Sequence, residues 1–118
     1  LFQLQVPQTG DWCALELGLD PDGATGQGLT CEAVLALPGG GLFETALVQS
    51  RRGLTGRLSH RVSAPQVHAV PAGGALRLLR RFAAEELAGA ESPRLAIILP
   101  RQAANLRLCL HDLIVLSD

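Results

Sequence analysis

Apolar and polar positions alternate along most of the first 70 residues, which is the pattern of strands that bury one face. The clearest case runs from Leu29 to Leu37, where every second residue is apolar. The stretch 38–41, Pro-Gly-Gly-Gly, predicts a turn, so residues 29–48 are predicted to form a hairpin. This part of the chain is predicted to be an antiparallel meander of about five or six strands.

A second turn is predicted at Gln49–Gly53, between a strand over Leu42–Val48 and a strand over Leu54–Val62. Pairing of these two strands would put Glu44 opposite or diagonal to Arg57, where opposite charges attract across a sheet.

The stretch 20–28 fits neither a phosphate-binding loop nor a calcium loop, because it lacks the Lys-Ser/Thr pair and the acidic ligands that these sites need. Its Asp-Pro-Asp-Gly start predicts an exposed turn between strands.

The period of the pattern changes after Gly73-Gly74. Apolar residues then recur at three- to four-residue spacing, which predicts an amphipathic helix that ends near Gly89. The apolar residues of this helix are Leu76, Leu79, Phe82, Ala83 and Leu87. The continuous apolar run Leu95–Leu99 predicts a buried strand, and the tail from Arg101 fits either a helix or a strand.

The predicted fold class is therefore α+β: an antiparallel meander, an amphipathic helix, a buried strand and a C-terminal helix or strand. The chain is predicted to be a single domain over 1–118, with a β-rich part at 1–72 and an α/β part at 73–118.

Composition supports one ordered domain, since 47% of the 118 residues are hydrophobic. No apolar run approaches the roughly 18 residues of a membrane span. Met, Lys and Tyr are absent and the first residue is Leu, so we expect a segment excised from a larger protein. Three cysteines at wide spacing are too few for a disulfide-rich secreted domain, and they predict an intracellular chain, cytoplasmic or nuclear, with reduced thiols.

The charges are sorted along the chain. Residues 1–50 carry six acids and no Arg, whereas residues 51–81 carry seven arginines and no acid. The predicted interaction surface is taken from this basic block and comprises Arg57, Arg61, Arg77, Arg80 and Arg81. Such a surface suits an acidic protein partner, or phosphate and nucleic acid, although no aromatic stacking platform accompanies it. The alternative is that acidic and basic strands neutralise each other within one sheet.

Catalytic chemistry finds little support in the sequence. His111-Asp112 could be combined with Ser59 or Ser63 in a nucleophilic triad, but no nucleophile-elbow motif is present. Cys109 and His111 are two residues apart and lack the second ligand pair of a zinc site. We therefore predict no catalytic residues, no metal and no cofactor.

The sequence thus predicts a non-catalytic structural or protein–protein interaction domain of a larger intracellular assembly, such as a DNA-repair or trafficking complex, with other protein subunits as partners. Nucleic-acid or phosphate binding through the Arg51–Arg81 block is the first alternative. A small hydrolase that uses His111-Asp112 is the second.

Overall fold

A computed structural model describes residues 2–19, 28–87 and 91–117, which form eight strands and one short helix. In chain order these elements are β1 Phe2–Gln8, β2 Ala14–Gly18, β3 Leu29–Ala36, β4 Gly41–Arg52, β5 Leu58–Val70, β6 Ala75–Phe82, α1 Ala84–Leu87, β7 Glu91–Ile98 and β8 Ala104–Ser117. The strands pair into two antiparallel sheets. Sheet I has the order β1-β8-β3-β6, and sheet II has the order β2-β7-β4-β5.

The order in which the strands alternate between the sheets defines the topology. Of the described strands that follow one another in sequence, β4 and β5 share a sheet, whereas every other connection crosses to the opposite sheet. Two four-stranded sheets connected in this way form a jelly roll.

The core lies between the two sheets, where the alternating apolar side chains of both inner faces meet. Leu35 and Leu108 of sheet I are fully buried against Phe43 and Ile97 of sheet II. A second cluster contains Phe82, Leu47 and Leu95. Each such side chain contributes about 1.5–3 kcal/mol when it leaves water, so this layer stabilises the fold.

The predicted helix after Gly73-Gly74 is wrong, and so is the α+β class. Residues 75–82 form strand β6, and the described chain has no helix of seven residues or more. In β6 the residues that face the core are Leu76, Leu78, Arg80 and Phe82, while Leu79 is exposed. An arginine at an inward position broke the apolar alternation, and the remaining leucines imitated a helical period.

The predicted hairpin over 29–48 is also wrong, although both of its strands exist. β3 pairs with β6 and β8 in sheet I, whereas β4 pairs with β5 and β7 in sheet II. Alternation shows which residues share a face of a strand, but it does not show which strands are neighbours.

The β4–β5 hairpin was predicted, but its register and turn differ from the prediction. The turn covers 53–57, and Glu44 pairs with Val67 rather than with Arg57. β5 accommodates Pro65 at a bulge opposite Ala46, where Ala64 has a φ of 53°. A proline is tolerated there because β5 is an edge strand.

The buried strand at Leu95–Leu99 is confirmed, since all five residues are buried and most of them lie in β7. The tail, which fitted a helix or a strand, forms strand β8. The turn predicted at 20–28 lies almost wholly outside the described residues. No described helix has the length and apolar character that crossing a membrane requires.

Candidate functional site

The five arginines of the predicted interaction surface do not form one patch. Arg57 lies in the turn between β4 and β5, and Arg61 lies on β5 of sheet II. Arg77 and Arg81 lie on the outer face of sheet I, where the Arg77 guanidinium is 4.0 Å from the Glu32 carboxylate. That they form a binding surface stays a prediction.

Arg80 points into the space between the sheets. It pairs with Cys31, which faces the core, and its guanidinium donates hydrogen bonds of 2.6 Å to Gln66 Oε1 and to the Ala64 carbonyl. It also lies 4.9 Å from the centroid of the Phe82 ring, a cation–π distance. Burial lowers the pKa of Arg80, and Glu86 and Cys31 oppose that shift. Arg80 therefore connects β6 to the bulge of β5 and closes one side of the sandwich.

The residues of the hypothetical triad lie in different sheets. His111 and Asp112 are in β8 of sheet I, whereas Ser59 and Ser63 are in β5 at the edge of sheet II. The described residues hold no group of three or more metal-ligating side chains. Cys13, Cys31 and Cys109 are free thiols, and burial raises the pKa of Cys31 to about 11.

His68 is a partly buried histidine on the inner side of β5. Its Nε2 is 2.8 Å from Thr45 Oγ1, with which it shares a hydrogen bond, and its ring stacks on Phe43 at 4.9 Å between centroids. Burial, and secondarily the charge of Arg80, lowers the pKa of His68. The folded protein therefore favours the neutral form of His68 over the protonated form.

We expect the stability of the domain to fall as the pH drops through about 6.5, the pKa of a histidine in the unfolded chain. The unfolded chain takes up the His68 proton more readily than the folded one, so the loss continues until the lowered folded pKa is reached. Urea unfolding between pH 8 and pH 5 measures it. His68→Gln should flatten the profile, and His111→Gln on the outer face of sheet I is the matched control. Equal profiles for both variants would contradict the assignment.

The outer face of sheet II is covered at its centre. At its centre Ala46 and Ala96 pair directly, and both are completely buried in an apolar cluster with Val48 and Ile98. Beside this apolar centre, Arg94 donates a hydrogen bond of 2.7 Å to Glu16 Oε2. The face thus has a buried apolar centre bordered by a fixed pair of opposite charges, and space for a ligand lies at its end.

A depression of about 250 Å³ lies at one end of this face. Its walls include two exposed apolar side chains, Leu42 and Val67, and its polar groups come from Glu44 and Arg101. Apolar walls with a few polar groups are the usual composition of a site for a small ligand.

Trp12 lies two residues before β2, which pairs with β7, and the end of β7 lines this depression. Leu99 N–H donates to the Cys13 carbonyl, and this register places Trp12 opposite Pro100, which lines the depression. The tryptophan is 53% exposed. An exposed indole combines an apolar ring face with a polar N–H, a combination that is enriched at binding interfaces.

Hydrogen bonds also fix the backbone before Trp12, in addition to the bond between Leu99 and Cys13 after it. Thr9 Oγ1 donates to the Pro100 carbonyl at 2.6 Å and accepts from Ala103 N–H at 2.8 Å. Gln102 N–H donates to the Gly10 carbonyl at 2.8 Å. The segment that carries the ring is therefore already ordered, which lowers the entropy cost of binding.

No protein-family model and no curated protein matches this sequence. Solved structures do match its fold. A family 4 carbohydrate-binding module aligns with a TM-score of 0.63 and 15% identity, over 98% of this chain and 82% of that one. A family 16 carbohydrate-binding module aligns with a TM-score of 0.58 and 8% identity, over 97% and 74%.

A third match is to the CBM22-1 and GH10 modules of endo-1,4-β-D-xylanase 10B from Clostridium thermocellum, solved with xylohexaose. It has a TM-score of 0.51 and 13% identity, over 98% of this chain and 29% of that one. This chain has the fold of a carbohydrate-binding module. At these identities the likeness is one of fold.

This comparison overturns the function that the sequence predicted. The matched structures contain carbohydrate-binding modules, in one case joined to a GH10 module, and not scaffold or adaptor subunits. The predicted protein-subunit partners are therefore wrong, and so is nucleic acid, the alternative partner. Carbohydrate-binding modules are typically found in extracellular carbohydrate-active enzymes, which contradicts the predicted intracellular location. They are themselves non-catalytic.

Sequence reasoning passed over Trp12 and Arg101, and it assigned Glu44 to a charge pair with Arg57 rather than to a binding site. Trp12 is the one tryptophan of the chain and stands beside Gly10-Asp11, at the start of an alternating segment. A single tryptophan just before a predicted strand was the sequence signal for a binding residue. Glu44 and Arg101 are far apart in sequence and carry no motif, so only the fold reveals that they line one depression.

Proposed function

We propose that this chain is a non-catalytic carbohydrate-binding module that holds a short glycan at the outer face of sheet II. The observation that carries the proposal is an exposed tryptophan, Trp12, which the extended β2–β7 register puts opposite Pro100 at a depression with apolar walls and two charged groups. A sugar ring presents C–H groups on its faces and hydroxyl groups at its edge. It can therefore stack on the indole while Glu44 accepts, and Arg101 donates, hydrogen bonds to hydroxyls.

The number of aromatic side chains limits the length of glycan that can stack. Phe43 and Phe82 are buried in the core, and Phe2 lies on sheet I. On the described outer face of sheet II, Trp12 is then the stacking residue. One stacking position suits a short or single-chain glycan better than the flat surface of a crystalline polymer, which needs a row of aromatic rings.

The proposal predicts that Trp12→Ala weakens binding of a soluble β-glucan or xylan by about thirtyfold or more, because truncation of a hot-spot tryptophan costs at least about 2 kcal/mol. Affinity electrophoresis in gels containing each polysaccharide measures the change. Because the chain has one tryptophan, its fluorescence also reports on the site directly. Glu44→Gln should weaken binding less, since it keeps the shape of the side chain.

Phe2→Ala is the matched control, because Phe2 is also an exposed aromatic residue but lies on the other sheet. It should bind as the unaltered protein does. If Trp12→Ala retained full affinity, the proposed site would be wrong. If no polysaccharide in a panel of β-glucans, xylans and mannans were retained, the proposed function would be wrong.

A further inference from the structure

A second groove lies on the opposite side of the molecule, on the outer face of sheet I. It has a volume of about 440 Å³ and is lined mainly by β1 and β8, with Pro38 at one side. The depression next to Trp12 belongs to sheet II, so the two cavities are separate features of the fold.

Strand register gathers three polar side chains in this groove. Gln3 pairs with Cys109, and Gln5 pairs with Arg107, so all four lie on the same face of the sheet. Gln3, Gln5 and Arg107 are exposed, and none of them makes a side-chain hydrogen bond or ion pair with another described residue. Their hydrogen-bonding groups are therefore available to a ligand.

The chemistry of the lining favours a ligand with a negative charge. A guanidinium group binds a carboxylate through two parallel hydrogen bonds. Each glutamine amide both donates and accepts, which suits neighbouring hydroxyl groups. Among the described residues that line the groove there is no Asp or Glu to repel an anion.

We propose that this groove is a second carbohydrate site, which binds an acidic sugar residue by pairing its carboxylate with Arg107. The sugar hydroxyls hydrogen-bond to Gln3 and Gln5. That the ligand is a sugar rests on the proposed function, whereas its charge follows from the lining of the groove alone.

Cys109 provides a reporter inside the groove. Its thiol is partly buried and lines the cavity, whereas Cys13 lies outside it and the pKa of Cys31 is raised to about 11. The rate at which iodoacetamide alkylates each thiol can be followed by peptide mass spectrometry. The probes are D-glucuronate, D-glucose and inorganic phosphate, each at concentrations up to about 50 mM, because a single sugar residue binds in the millimolar range.

We expect D-glucuronate to slow alkylation of Cys109 at least about threefold at this concentration and to leave the rate at Cys13 unchanged. Glucose and phosphate should protect Cys109 much less. Glucose lacks the carboxylate that pairs with Arg107, and phosphate lacks the sugar hydroxyls that bind Gln3 and Gln5. Arg107→Gln should weaken glucuronate binding about tenfold or more, because hydrogen bonds to a charged group contribute about 1.5–3 kcal/mol. Arg57→Gln, in the exposed β4–β5 turn, is the matched control and should leave protection unchanged.

Equal protection by glucose and glucuronate, or unchanged protection in Arg107→Gln, would overturn the proposal. Equal protection by phosphate and glucuronate would show a general anion site and would overturn it as well. Trp12→Ala separates the two proposals, because it should leave glucuronate protection of Cys109 intact even where it abolishes binding at sheet II.

Discussion

Phe82→Ala is expected to lower the free energy of unfolding by about 3–5 kcal/mol, the range for removing a buried aromatic ring. Phe82 is completely buried at the end of β6, where it packs with Leu29, Leu47 and Leu95 from both sheets. Its loss leaves a cavity between the sheets and also removes the ring that Arg80 contacts. Urea unfolding followed by far-ultraviolet circular dichroism measures the change.

Phe2→Ala provides the comparison within the same residue type. Phe2 is 45% exposed on β1, an edge strand. Its removal should cost about 1 kcal/mol or less, as is usual for surface substitutions. If the two variants lost similar amounts of stability, Phe82 would not occupy the core position described for it.

Gly40→Ala is expected to lower the free energy of unfolding by about 2–4 kcal/mol. Gly40 has a φ of 72°, which is unfavourable for any residue with a Cβ, and its N–H donates to the Leu37 carbonyl at 2.7 Å. A Cβ at this position would lie 2.8 Å from the Ala72 backbone nitrogen. Because that neighbour is backbone, the crossover between β3 and β4 or the turn before β6 must shift.

Gly10→Ala separates the two costs of the Gly40 substitution. Gly10 has a similar φ of 63°, but nothing lies within 4 Å of an added Cβ. It should therefore lose only the conformational cost of about 1–2 kcal/mol. Chemical denaturation of both variants checks this difference, and an equal loss would show that the contact with Ala72 is relieved at no cost.

The sequence predicted individual strands better than their arrangement. From Leu29 to Leu37 the buried positions are those that alternation indicates, because each strand has one face in water and one in the core. Pairing depends on contacts between distant segments. The predicted 29–48 hairpin therefore had the correct strands but paired them with each other, whereas they lie in different sheets. The helix predicted in place of β6 is wrong because Arg80 occupies a core-facing position. Hydrogen bonds to Gln66 and Ala64 on the other sheet make that position tolerable for an arginine.

The candidate sites were beyond sequence reasoning for a related reason. Trp12 and Pro100 come together because β2 pairs with β7, and Gln5 and Arg107 come together because β1 pairs with β8. Neither pair leaves a local motif. The sorted charges, which drew attention to the arginine block, are instead divided between the two sheets, the core and a turn.

The pairing of β1 with β8 determines when this fold can be completed. Phe2 pairs with Leu110, so β1 gains its neighbour in sheet I only after more than a hundred intervening residues have been added to the chain. Closing such a long loop costs entropy before any contact repays it, and topologies dominated by such contacts fold in milliseconds to seconds rather than microseconds. During synthesis β1 therefore cannot pair within sheet I until β8 has been made. Until β8 arrives, the apolar inner side of β1 and one edge of β3 stay open to any other strand in reach.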